Sequence, residues 1–174
     1  MGSAGAGLSG LVVRVPEAEA AVRAWRERLD TSPRSGVPAH VTVLFPFLPA
    51  DRIDSGVRDT LRAVLGRQRS FEARFERCGR FPGLLYLAPE PVTPFRRLTE
   101  AVVGQWPEHP PYGGKYGDAA PHLTVVECRD DAGMERAEAD LLARALPLVT
   151  HVSAVDLVVH DGTRWQQRDT FPLA

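Results

Sequence analysis

Hydrophobic positions along the chain recur at two spacings, and they predict strands alternating with helices. Leu11 to Val15 is a short apolar run, read as a strand. Pro16 opens a segment to Leu29 in which Ala20, Ala24, Trp25 and Leu29 recur at helical spacing. Thr31 to Pro38 carries two prolines and a glycine and reads as a loop. His40 to Phe45 is β-branched and apolar, hence a strand. Asp51 to Leu65 places Ile53, Val57, Leu61 and Leu65 on one helical face, with Asp51 as a cap near its start. Phe71 to Cys78 alternates apolar and polar residues, the mark of a half-buried strand.

After the turn Phe81-Pro82-Gly83 the same order returns. Leu84 to Leu87 reads as a strand, Pro94 to Trp106 as a helix and Pro107 to Pro121 as a Pro/Gly-rich loop. His122 to Glu127 is a strand, Asp131 to Leu146 a helix, Val149 to Val159 one long strand and Thr163 to Phe171 a last one. Equivalent points lie 80 to 82 residues apart: His40 and His122, Asp51 and Asp131, Phe71 and His151. The repeat rests on element order more than on residue identity. It divides a single domain into a first repeat of about 11–82 and a second of about 83–172, predicting two similar lobes with a site at their junction.

Composition narrows the partners. With 174 residues and 44% hydrophobic positions, the chain can bury a core without disulfide or metal. Its 21 basic and 22 acidic residues leave a net charge of −1, so no global field draws it onto long nucleic acid or a membrane. Any RNA substrate is expected to be gripped at an end. Cys78 and Cys128 are too far apart for a zinc pair and read as free thiols. Met1 to Gly10 lacks the basic start and apolar run of an export signal, and no apolar run approaches a membrane span. A cytoplasmic monomer is expected.

The chemistry concentrates in two tetrapeptides, His40-Val-Thr-Val and His122-Leu-Thr-Val. Alternation along a strand puts His40 and Thr42 on one face and Val41 and Val43 on the other; the second motif behaves alike. A lone motif of this kind reads as an ordinary strand histidine, but two at equivalent points of a repeat read as a site. In-line displacement at phosphorus needs a base on one side and an acid on the other. Imidazole suits both tasks near neutral pH. Thr42 and Thr124 can donate hydrogen bonds to the non-bridging oxygens, where charge accumulates. No carboxylate cluster suggests a metal, and neither metal nor cofactor is expected.

These motifs, with Pro121 before the second and Phe45-Pro46-Phe47 after the first, resemble the two-histidine (2H) phosphoesterases. That superfamily includes 2′-5′ RNA ligase-like proteins and RNA cyclic phosphodiesterases. The resemblance implies an α+β, bilobal pseudo-twofold fold, with two antiparallel sheets lining a central groove and helices outside. It implies His40 and His122 as catalytic residues, and Thr42 and Thr124 as phosphate-binding residues. It also implies opening of 2′,3′-cyclic phosphates to 2′-phosphates in RNA processing, with the second histidine as base and the first as acid. The alternatives are 2′-5′ ligation of RNA ends, a non-catalytic module binding nucleotides or RNA ends, and a metal-dependent hydrolase. In the Pro107–Pro121 loop, Lys115 could meet phosphate, and Tyr112 or Tyr116 could stack on a base. Phe45 and Phe47 are read first as core, His109, His151 and His160 as structural or exposed.

Overall fold

The computed structural model describes residues 5–29 and 37–174, so residues 31–36 of the expected Thr31–Pro38 loop lie outside the described residues. Along the chain run β1 (Ser9–Arg14), α1 (Glu19–Leu29), β2 (His40–Leu44), α2 (Ser55–Leu65), β3 (Phe71–Phe81) and β4 (Leu84–Glu90). They are followed by α3 (Thr93–Val103), β5 (Leu123–Glu127), α4 (Asp131–Asp140), β6 (Leu148–Val152), β7 (Ala154–His160) and β8 (Trp165–Pro172). Helix α2 starts later than its periodicity suggests. Asp51 sits in a separate short turn, and Asp54 is the cap, accepting from the Val57 amide at 2.9 Å. Helix α4 ends in a wider, π-helical turn over Leu141–Ala145.

The strands form one antiparallel sheet in the order β6-β3-β4-β5-β2-β1-β7-β8. Two sheets were expected. They are one because β2 and β5 pair directly, with Val41 opposite Leu123. The halves of this sheet are not the halves of the sequence. β3, from the first repeat, pairs with β4, and β7, from the second, pairs with β1.

The run expected as a single strand from Val149 to Val159 is two. Its first part pairs with β3 at one edge, and its second part pairs with β1 and β8 near the other. Only Ser153 separates them, so the sheet must curl until its edges approach. Backbone bonds seal that end: Leu173 N–H donates to Ser153 O at 2.8 Å, and Ser70 N–H to Ala174 O at 2.7 Å. The result is a curled half-barrel with four α-helices among the described residues.

The core fills the space between the helices and one face of the sheet. Val13, Val41, Leu87, Leu123 and Val125 point into it from the strands, and Val22, Leu61, Leu65, Phe95 and Leu98 from the helices. Each such side chain contributes about 1.5–3 kcal/mol by leaving water. The packing is crossed: α1 lies against β5, and α3 against β2. Each motif strand is thus braced by the helix of the other repeat. No helix among the described residues is long and apolar enough to cross a membrane.

Two outcomes follow. Leu123→Ala, at a fully buried position, should lower unfolding free energy in urea by about 2–5 kcal/mol, whereas Val149→Ala, at an exposed one, should stay within about 0.5 kcal/mol. The Cys78 thiol is pushed up to about 11, first by burial and then by the Glu138 carboxylate. At pH 8 it is therefore protonated, and a disulfide reagent should label it slowly, faster as pH rises toward that value. Labelling at pH 8 as fast as a free thiol in urea would contradict this.

Candidate active site

The direct pairing of β2 with β5 decides the site's geometry. With Val41 opposite Leu123, antiparallel register puts Thr124 across from His40, and Thr42 across from His122. Directly paired side chains share a face, so all four stand on the side away from the core. The two histidines are then diagonal neighbours, a relation that places such residues about 7–8 Å apart. That spacing leaves room for one phosphoryl group between them.

Both imidazoles are fixed in the same way. His40 Nδ1 lies 2.7 Å from the Pro38 carbonyl, and His122 Nδ1 lies 2.9 Å from the Ala120 carbonyl, each two residues upstream. A carbonyl only accepts, so Nδ1 carries the proton and donates it. The other nitrogen, Nε2, is where each ring gains or loses a proton. His40 is buried at 8% exposure and Thr124 at 7%; Thr42 and His122 are half-buried.

The strand backbones are held from behind. Arg26 of α1 donates from Nη2 to Thr124 O at 2.9 Å, from Nε to Val125 O at 3.3 Å, and from Nη1 to Val37 O at 3.1 Å. Thr99 of α3 donates to Val43 O at 2.7 Å. The crossed bracing therefore reaches the motifs themselves. Beside His122 and Thr42 opens a cleft of about 240 Å³, lined also by Phe45, Arg96, Tyr112 and Asp118. Arg96 pairs with Asp118 at 3.1 Å across it. Tyr112 N–H donates to Phe45 O at 2.6 Å and ties the Pro/Gly loop to the end of β2.

Residues 15–164 match the family described as the 2′-5′ RNA ligase superfamily. The chain belongs to that superfamily. A search of curated protein sequences returns no match. Among solved structures, E. coli LigT in its apo form is 16% identical, with a TM-score of 0.63 over 97% of this chain and 98% of that one. A Thermus thermophilus protein is 19% identical, with a TM-score of 0.64 over 95% and 97%. LigT has also been solved with 3′-AMP, at 16% identity and a TM-score of 0.62 over 97% and 98%. At these identities the likeness is one of fold.

Within this 2′-5′ RNA ligase-type fold, the other sequence candidates separate. Tyr112 lines the cleft, in a left-handed conformation at φ 53°. Lys115 and Tyr116 are outside the lining, with the ammonium 5.2 Å over an exposed Tyr116 ring. Phe45 lines the cleft with its edge on Trp165, while Phe47 is core. His160 meets Trp165 edge to face and His151 is exposed on β6. Among the described residues no three His, Cys, Asp or Glu gather as a metal-binding group.

Sequence reading missed an aromatic pair. Tyr86 lies opposite Thr124, and its ring is 5.6 Å from that of His122; Phe81 is 5.2 Å from the same imidazole, edge on. Only the alternation of β4, with Tyr86 one residue from buried Leu85 and Leu87, hinted at its facing. The Tyr86 ring lies over Gly79, where a Cβ would overlap it. Gly79→Ala should swing Tyr86 away and shift the ring-proton NMR signals of His122 while leaving those of His40 in place. Equal shifts at both histidines would refute the local packing.

Proposed function

We propose that the protein is a metal-independent phosphodiesterase that opens 2′,3′-cyclic phosphate ends of RNA or nucleotides to 2′-phosphates. The observation that carries this reading is the diagonal pair of imidazoles with identical Nδ1–carbonyl bonds. Each has Nε2 as its working nitrogen, and a threonine hydroxyl faces each across the strand pair. A water oxygen attacks phosphorus opposite the 3′ oxygen and passes its proton to His122 Nε2. The P–O3′ bond breaks, and His40 Nε2 gives its proton to the departing 3′ oxygen. Thr42 and Thr124 donate to the non-bridging oxygens, whose charge grows in the transition state. Which histidine is the base follows the superfamily's pattern. Binding of 3′-AMP, ATP and NADP+ by LigT supports nucleotides as the ligand class.

Joining RNA ends through a 2′-5′ linkage, the step that the superfamily's description names, is the same displacement of the 3′ oxygen with a 5′-hydroxyl in place of water. It is the second reading. Net charge of −1 favours terminal or small substrates over long RNA. Lys115 and Tyr116, exposed on the cleft loop, are proposed to meet the far end of a longer substrate rather than the reacting phosphate. The protein is proposed to act as a cytoplasmic monomer.

Purified protein with EDTA should open 2′,3′-cyclic nucleotides. His40→Ala and His122→Ala should each lose about 10²–10⁴-fold in kcat, and Thr42→Val or Thr124→Val about 10²-fold. One ring must be neutral and the other protonated, so kcat/KM should be bell-shaped in pH. EDTA-sensitive turnover restored by zinc would favour a metal-dependent hydrolase. Nucleotide binding without turnover would favour a binding module.

A further inference from the structure

The groove is symmetric in its histidines and threonines but not in what flanks them. One strand outward from His40, on the same face, stands Arg14 of β1, directly opposite it. The position one strand outward from His122 is Ala88, since Leu87 pairs with Leu123. Beside Thr124 stands Tyr86, whereas beside Thr42 stands Val12. Within the sheet, the first cation outward from His122 is Arg77, a further strand out and ion-paired with Glu90; Arg96 of α3, which lines the cleft beside His122, is ion-paired with Asp118. Across the sheet, a guanidinium therefore flanks His40, and the rings of Tyr86 and Phe81 flank His122.

Arg14 is also anchored. Its Nε sits 2.5 Å from Asp156 Oδ2, a carboxylate buried at 4% exposure on the adjacent strand β7. Asp156 further accepts from Thr170 Oγ1 at 2.6 Å and Gln167 Nε2 at 3.4 Å. A buried carboxylate is costly unless hydrogen-bonded and paired, and here three donors from β1 and β8 meet that need. Holding Nε leaves four guanidinium N–H groups on a side chain that stays 46% exposed. Such a fork matches a phosphate.

We propose that Arg14 is a subsite for a second phosphate, the 5′-phosphate or 5′-phosphodiester of the nucleotide that carries the cyclic phosphate, with Asp156 as its positioning residue. The proposal rests on the cyclic phosphodiesterase reading. Ribose makes the two flanks fit: the base leaves from C1′, beside the 2′ oxygen, and the 5′-phosphate hangs from C4′, beside the 3′ oxygen. With the base against Tyr86 and Phe81 and the 5′-phosphate on Arg14, the 3′ oxygen lies toward His40, which protonates it. The preferred substrate is then an oligonucleotide end or a 5′-phosphorylated nucleotide, not a bare cyclic nucleoside monophosphate.

The test compares adenosine 2′,3′-cyclic phosphate with and without a 5′-phosphate by kcat/KM, and adenosine 2′-phosphate with adenosine 2′,5′-bisphosphate by calorimetry. Wild type should favour the 5′-phosphorylated partner at least about tenfold in both, the scale of one charge-assisted contact. Arg14→Gln should bring both ratios to within about twofold of one, and Arg14→Lys should leave an intermediate preference. Because Arg14→Gln strands a buried charge, the Arg14→Gln/Asp156→Asn pair repeats the measurement in a charge-balanced background. Equal ratios in wild type, or an Arg14→Gln variant that weakens both partners equally, would overturn the subsite. If neither cyclic compound is turned over, the hydrolase reading fails, and the calorimetric ratio still decides the role of Arg14.

Discussion

The pairing of β2 with β5 is the contact on which the rest of the structure depends. Val41 opposite Leu123 joins two four-stranded halves into one sheet and sets the register of everything on the groove face. A slip of one residue would turn one motif strand over and send its histidine into the core, because side chains alternate with a period of two. The register is held by burial on the other face, where Val41, Val43, Leu123 and Val125 are packed under helices. It is also held by Arg26, which binds three carbonyls from α1, and by Thr99, which binds one from α3. Because α1 braces β5 and α3 braces β2, neither repeat can form its half of the site alone.

Closure of the sheet follows from the same economy of connections. Ser153 alone links an edge strand to one near the opposite edge, so curling is imposed by the chain and sealed by backbone bonds at the C-terminal end. Curling makes the face away from the core concave. Polar side chains that an open sheet would leave in water are gathered there. Asp156, buried on that face, is tolerable only because Thr170, Gln167 and Arg14 satisfy it.

Pseudo-symmetry and its breaking carry different parts of the chemistry. In the proposed reaction, two imidazoles in equivalent backbone settings act as an acid and a base of the same kind, which is what displacement with opposed entering and leaving oxygens requires. The flanks, Arg14 on one side and Tyr86 with Phe81 on the other, are not equivalent. Asymmetry of this sort gives a groove direction, and a nucleotide has two unlike ends to match it.

Much of this was legible in the chain. The element order, the doubled His-x-Thr motif and the facing of His40 with Thr42 all follow from local periodicity, which depends only on neighbours in sequence. The helix starting at Ser55 rather than Asp51 escaped because two aspartates, Asp51 and Asp54, both offer a local cap, and the break at Ser153 because strand partners are distant in sequence. The single sheet escaped for the same reason: two repeats imply two lobes, and only the register of β2 against β5 joins them. Arg14, Asp156 and Tyr86 carry no motif, since what sets them apart is the strand each stands beside. The sequence by itself determined which residues could do chemistry and which way each pair faces. The tertiary structure alone decided which groups meet across strands, because register is set by burial summed over the whole sheet.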